Sequence, residues 1–236
     1  SCDEGVGVPA RSATLESAHR EAPRVDVAFS QSSAERPLPK RSSVRGVCDP
    51  SAPKKFTLIH LNDLQARYTE LVDGKSRYAY IAGYLKSQIL QDPNTLVLDA
   101  GDDYEKGALA ELRSMGEATR RMIQVLPIDV RTIGNHDFSY GREAVLKDAN
   151  ESQHPVLAAN ITTRDIENPF LPYTSFQVGC VKVGVVGVVT GNYGADDEPT
   201  KEPFDEVFLH NPRYSEVIAQ QVKEHRGEVD VMIALT

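Results

Sequence analysis

The sequence contains no run of 18 apolar residues, so no part of it reads as a membrane-spanning helix. It has only three cysteines, Cys2, Cys48 and Cys180, and no C-x-x-C pair, which excludes the usual zinc-ribbon and dithiol redox motifs. Internal repeats are absent. Positive charge is also scarce where a fold is expected: the net charge is −8, and beyond residue 55 there are 17 basic against 27 acidic side chains. An acidic body does not suit tracking along a nucleic-acid polymer. A small anionic substrate remains admissible, because bound dications reverse the field at a local site.

What is present is a globular composition, 40% hydrophobic and 25% charged over 236 residues, enough for one good-sized domain plus a tail. Residues 1–53 hold six of the 14 prolines and no sustained apolar periodicity, so they are expected to form a flexible Ser/Pro-rich tether. The domain is expected over 54–236. Cys2, behind the small residue Ser1 and ahead of this polar stretch, admits two readings: the processing site of a bacterial lipoprotein, giving a lipid anchor and an extracytoplasmic location, or an ordinary cysteine. Whether Cys48 and Cys180 pair depends on a Cα separation that sequence cannot supply.

Within the body, Phe56–Leu61, Thr95–Asp99, Ile128–Ile133 and Pro155–Ala159 read as strands, and Thr174–Val178 and Val181–Thr190 as a hairpin turning at Gly179-Cys180. Helical spacing predicts helices over Ser76–Gln91, Leu109–Leu126 (stopped by Pro127), Arg142–Ala149 and Asn211–Arg226, with a last buried strand at Val229–Leu235.

Three short stretches follow or close such strands: His60-Leu61-Asn62-Asp63-Leu64-Gln65, Asp99-Ala100-Gly101-Asp102 and Gly134-Asn135-His136-Asp137. Ligands of open α/β sheets gather beyond the carboxyl ends of the strands, so Asp63, Asp102 and Asn135 are expected to meet there with His136 beside them. Oxygen-rich sets of this kind suit divalent metals, and a carboxylate shared by two ions makes a dinuclear hydrolytic site. Taken singly, Asp63 also fits a turn cap and Gly134-Asn135 an ordinary turn. Asp103 reads as solvated, or as an acceptor behind Asp102. His19, His154, His210 and His225 have no such context.

At these residues, and at Ala159-Asn160, the chain resembles the calcineurin-like metallophosphoesterases, most closely the catalytic domain of the 5'-nucleotidase family. Their succession of H-x-N-D-x-H, a G-D loop, G-N-H-[DE]-F-x-x-G and A-N corresponds to His60–Gln65, Gly101–Gly107, Gly134–Gly141 and Ala159-Asn160. The resemblance covers residues 54–236. It implies an α/β fold, a layered β-sandwich flanked by helices, incomplete at the C-terminus: in the family a metal-binding histidine follows the strand that ends here at Thr236, and a G-H-x-H segment comes later. On that basis the chain is expected to be a fragment lacking a C-terminal segment or domain.

The resemblance further implies a phosphoesterase acting on nucleotides or related small phosphate esters. Two divalent ions (manganese, magnesium or zinc-like) would be held by Asp63, Gln65, Asp102 and Asn135, with Asp102 bridging. His136 would protonate the leaving oxygen, and His60, Asp137, Ser139 and Asn160 would support the ligands. Gln65 stands where the family has a second histidine ligand, and Ser139 where many members have the aspartate that orients the catalytic histidine. An amide oxygen favours harder ions than imidazole does. Both departures also fit a lipoprotein that binds metal without turnover, and a hydrolase for another ester class, cyclic or sulfur-linked, is a further alternative.

Overall fold

Thr57–Leu61 (β2), Thr95–Asp99 (β5), Val130–Thr132 (β6) and Val156–Leu157 (β7) pair in that order, all parallel, in the central sheet of the computed structural model, which describes residues 42–190 and 207–236. A second sheet runs Val44–Arg45 (β1), Tyr173–Val178 (β9), Val181–Gly187 (β10) and Val231–Leu235 (β12), with β9 and β10 antiparallel and the outer pairings parallel. Two small pairs complete the strands among the described residues, Leu71–Val72 (β3) with Lys75–Ser76 (β4), and Ile161–Thr163 (β8) with Phe208–His210 (β11). The helices are Arg77–Gln91 (α1), Leu109–Ser114 (α2), Glu117–Gln124 (α3), Arg142–Glu151 (α4) and Tyr214–His225 (α5).

Strand alternation explains the layering. On β5 every residue is buried, but Leu96 and Leu98 face the second sheet, packing with Phe176, Val183, Val185 and Leu235. Val97, between them, points the other way into a core shared with Tyr78 and Leu85 of α1 and Ile123 of α3. The expected layered sandwich flanked by helices is therefore what these residues form. A third cluster, with Ile133, Phe138, Val145 and Phe208, packs below the Gly134–Gly141 loop.

Several elements differ from the expectation. The helix predicted over 109–126 is two helices, because Met115 (φ 51°) and Gly116 (φ 86°) both adopt the left-handed conformation. A side chain on Gly116 would press into the rings of Tyr140 and Tyr104. The β3–β4 hairpin turns at Asp73-Gly74, both at positive φ, the geometry that Asp-Gly favours in two-residue hairpins. The third and fourth strands are shorter than expected, β10 ends at Gly187 rather than Thr190, and α5 buries no residue.

Residues 44–48 also carry contacts of the body. β1 pairs with Gln177 and Val178, Arg45 forms a buried ion pair with Asp129, and Cys48 is disulfide-bonded to Cys180 with Cα atoms 4.5 Å apart. Packing therefore begins about ten residues before Lys54, since a pairing row, a buried charge pair and a covalent link hold this segment. Cys2, His19 and the first 41 residues of the expected tether lie outside the described residues. Among the described residues no helix is long and apolar enough to cross a membrane.

Candidate metal centre

Three loops leave the carboxyl ends of β2, β5 and β6, and backbone hydrogen bonds lace them together. Asp63 N–H donates to Gly101 O (2.9 Å), Gln65 N–H to Asp102 O (3.1 Å) and Ala66 N–H to Asp103 O (2.7 Å). Asp102 is tied to the third loop from both ends. Its N–H donates to Asp137 Oδ2 at 2.8 Å, and its Oδ1 accepts the N–H of His136 at 2.9 Å. The same Asp137 oxygen takes Gly134 N–H at 2.9 Å.

This lacing draws the chain into conformations that side chains rarely adopt: Asp63, Gln65 and Asp102 have φ of 53°, 46° and 57°. The loops come so close that glycine is required at Gly101 and Gly134, where a Cβ would meet the Gly134 backbone and the Asp102 carboxylate, respectively. The outcome is a cleft of about 120 Å³, whose lining includes Asn62, Asp63, Asp102, Asn135, Thr190 and Thr236. Three predicted ligands, Asp63, Asp102 and Asn135, are thus brought together.

Gln65 is not. It is half-buried outside the cleft lining, and its Oε1 lies 3.5 Å from Arg67 Nη2, at the limit of a hydrogen bond. His60 is exposed on β2 and supports no ligand, because the second sheet does not cover this outer strand as it covers Leu98 beside it. Asn160, wholly buried, accepts Val189 N–H and donates to Val189 O and Asn211 O, bracing the segment that carries Thr190 to the cleft. His210, without context in sequence, packs its Nε2 against the Asn160 amide and Val189 O, and burial lowers its pKa.

Asp103 overturns its reading as a solvated side chain. It is fully buried and ion-paired to Arg131 at 3.0 Å. Arg131 Nη1 also reaches Asp137 Oδ1 at 3.2 Å, and Nη2 bonds Asp148. One guanidinium therefore faces three carboxylates beneath the site. Burial raises Asp103 well above the usual carboxylate range and Asp137 to about 8, against the lowering pull of Arg131. It raises Asp99, also fully buried, to about 7. An arginine inside a strand that reads as buried was the signal for this hub, since a buried guanidinium needs carboxylate partners.

His136 lies on a single turn of 3-10 helix, His136–Phe138. Its Nδ1 is 2.9 Å from Glu105 Oε2. Neither neighbour on its own loop fills that place: Asp137 is engaged with Arg131 and two backbone N–H groups, and Ser139, which stands where the resemblance puts an orienting aspartate, donates its own N–H to His136 O. Glu105 lies one loop away, so motif reading along 134–141 could not find it.

The donors facing the cleft are hard oxygens. Burial raises the Asp102 carboxyl above its ordinary value; the His136 hydrogen bond and charge oppose this, and the charges of Asp63 and Glu105 add to it. Asp63, Asp102 and Asn135 thus offer the cleft oxygen donors, a donor type that suits divalent ions. Among the described residues no three His, Cys, Asp or Glu side chains are grouped to hold a metal ion.

No protein-family model matches the chain. In sequence it is 27% identical to human 5'-nucleotidase over 197 residues, covering 77% of this chain and 32% of that protein. The chain thus spans about a third of the length of the curated relatives it matches. Its fold is similar to that of a 5'-nucleotidase precursor from Thermus thermophilus, with a TM-score of 0.61 and 25% identity over 76% of this chain and 36% of the other. It also shares the fold of the calcineurin-like phosphoesterase YfkN from Bacillus subtilis (TM-score 0.54, 22% identity, 76% of this chain and 61% of the other). In sequence and in fold the chain is thus similar to the 5'-nucleotidases, and in fold alone to a calcineurin-like phosphoesterase.

Proposed function

We propose that this chain carries the metal-binding loops of a phosphoesterase that hydrolyses nucleotides or related small phosphate esters. The observation that supports this most is the meeting of Asp63, Asp102 and Asn135 around one cleft at the ends of three parallel strands. Asp102 is the bridging carboxylate in this reading and Asp63 and Asn135 the flanking donors. Two divalent ions, when bound, supply charge neutralisation and an activated water. The protein's own part is to fix the donors through the backbone lacing, and to protonate the leaving oxygen from His136, whose Nε2 is left for that work when Nδ1 faces Glu105.

The Cys48–Cys180 bond suits an oxidising compartment, in keeping with an extracytoplasmic protein anchored through Cys2. The acidic body favours a small ester over a nucleic-acid polymer. The test is hydrolysis by the complete protein with manganese, because the fragment alone is expected to be inactive, against nucleoside monophosphates, cyclic nucleotides, a sulfur-linked ester and single-stranded nucleic acid. Release of phosphate from the monophosphates supports the reading. A second reading, metal binding without turnover, is favoured by the position of Gln65 outside the cleft. Tight manganese binding with no hydrolysis across the panel would establish it.

A further inference from the structure

The absence of an aspartate at Ser139 leaves open what orients the His136 ring, and the structure answers from a different loop. We propose that Glu105, held in place by the buried Glu111, is the positioning residue that fixes the orientation and tautomer of His136. The inference rests on the reading of His136 as the proton donor only for its kinetic consequence.

The contact alone, 2.9 Å between Nδ1 and Oε2, joins side chains that are 37% and 42% exposed. A pair so open to water contributes little to stability. It positions a ring only if the backbone that carries the carboxylate is held. Glu111 holds it: both its oxygens lie toward the Glu105 N–H, at 3.1 and 3.4 Å. Glu111 is wholly buried in the first turn of α2, and the break at Met115-Gly116 closes on it, Gly116 N–H donating to Glu111 O at 3.0 Å. Between the metal loop and Glu105, Tyr104 is buried with its ring 6.3 Å from that of Tyr140. The segment from Asp102 to Glu105 is thus held at its middle by a buried ring and at its end by a buried carboxyl. An Nδ1–H donating to Glu105 leaves Nε2 as the acceptor in the neutral ring and the acid in the charged one. A carboxylate from the 101–107 loop replaces one from the histidine's own loop.

The test is long-range proton–nitrogen NMR of the metal-free chain with nitrogen-15-labelled histidine, in alkaline buffer where imidazole is neutral. The native His136 should show the Nδ1–H tautomer. Glu105→Ala should shift it to the Nε2–H form that free histidine prefers, with the circular dichroism spectrum unchanged. Adding Ser139→Asp to Glu105→Ala should restore Nδ1–H. Glu111→Gln, which keeps an acceptor for the Glu105 N–H, should leave the tautomer unchanged, and Glu111→Leu should reduce the Nδ1–H fraction. A native Nε2–H ring, or a tautomer indifferent to Glu105→Ala, would overturn the proposal whatever the kinetics. Kinetically, Glu105→Ala in the complete protein should lower kcat on a nucleoside monophosphate by up to about 10²-fold, the bottom of the range for general acids, with KM unchanged and a nitrophenyl ester nearly unaffected. A tautomer that moves while kcat does not would support the pair and refute only the role of His136 as proton donor.

Discussion

One oxygen of Asp137 accepts the backbone N–H groups of both Asp102 and Gly134, while the other oxygen contacts Arg131. A side chain that reads in sequence as a neighbour of the catalytic histidine is in fact the joint between two loops. It fixes the peptide that carries the central carboxylate, and a buried guanidinium holds it from below. The geometry of the cleft therefore depends on charges that never face it.

Asp137→Ala should remove both acceptors and leave Arg131 short of a partner. Breaking a buried pair on one side costs ~3–5 kcal/mol, so a fall of that order in urea unfolding free energy is expected. Asp137→Asn keeps an acceptor oxygen and should lose less stability. If the alanine variant unfolds at the native midpoint, the joint is not structural.

Asp102 and Asp103, adjacent in sequence, should behave in opposite ways. Asp102→Asn removes a half-buried carboxyl whose ionisation burial already disfavours, so the fold should hold while manganese binding, followed by calorimetry, is lost. Asp103→Ala takes a partner from Arg131 and should destabilise by ~3–5 kcal/mol. Equal stability in the two variants would mean that the hub contributes nothing to folding.

How far the sequence carries is clear from these two neighbours. The meeting of Asp102, Asp63 and Asn135 at one cleft was legible because each lies just past the end of an apolar strand. The central strands and the β9–β10 hairpin were legible through their apolar runs. Asp103, Asp148 and Glu105 were not, because their partners lie 28, 17 and 31 residues away and only packing brings them together. The short β1, in a Ser- and Pro-rich stretch, is a strand only because the edge of β9 accepts it. Local composition cannot report a partner from across the fold.

Asp99 gives a pH signature. Burial raises its carboxyl from 3.8 to about 7. Between those values the native chain keeps a proton that the unfolded chain has released, so this residue's contribution to stability falls as pH rises, and levels off above about 7. Asp99→Asn fixes the neutral form and still offers an oxygen to Gly101 N–H, 3.1 Å from Oδ1 in the native chain. The stability of the variant relative to native should therefore grow from pH 5 to pH 7 and change little beyond, in urea titrations with chelator present. A constant difference would show that Asp99 ionises as freely folded as unfolded.

The disulfide tests the upstream edge of the body. Cys48 and Cys180 are 132 residues apart, so their bond closes a long loop and restricts the unfolded chain. Typical stabilisation by such a link is ~2–4 kcal/mol. β1 and the buried Arg45–Asp129 pair depend on the same segment staying in place, and the Arg45 guanidinium sits 5.4 Å from the centre of the Phe176 ring. Cys48→Ser should lower the unfolding free energy within that range and expose the backbone near Arg45 to protease, while the cleft residues remain folded. Reducing agent should weaken the native protein to the same extent and leave Cys48→Ser unchanged. If reductant affects neither protein, the segment from Val44 to Cys48 is held by its pairing and its charge alone.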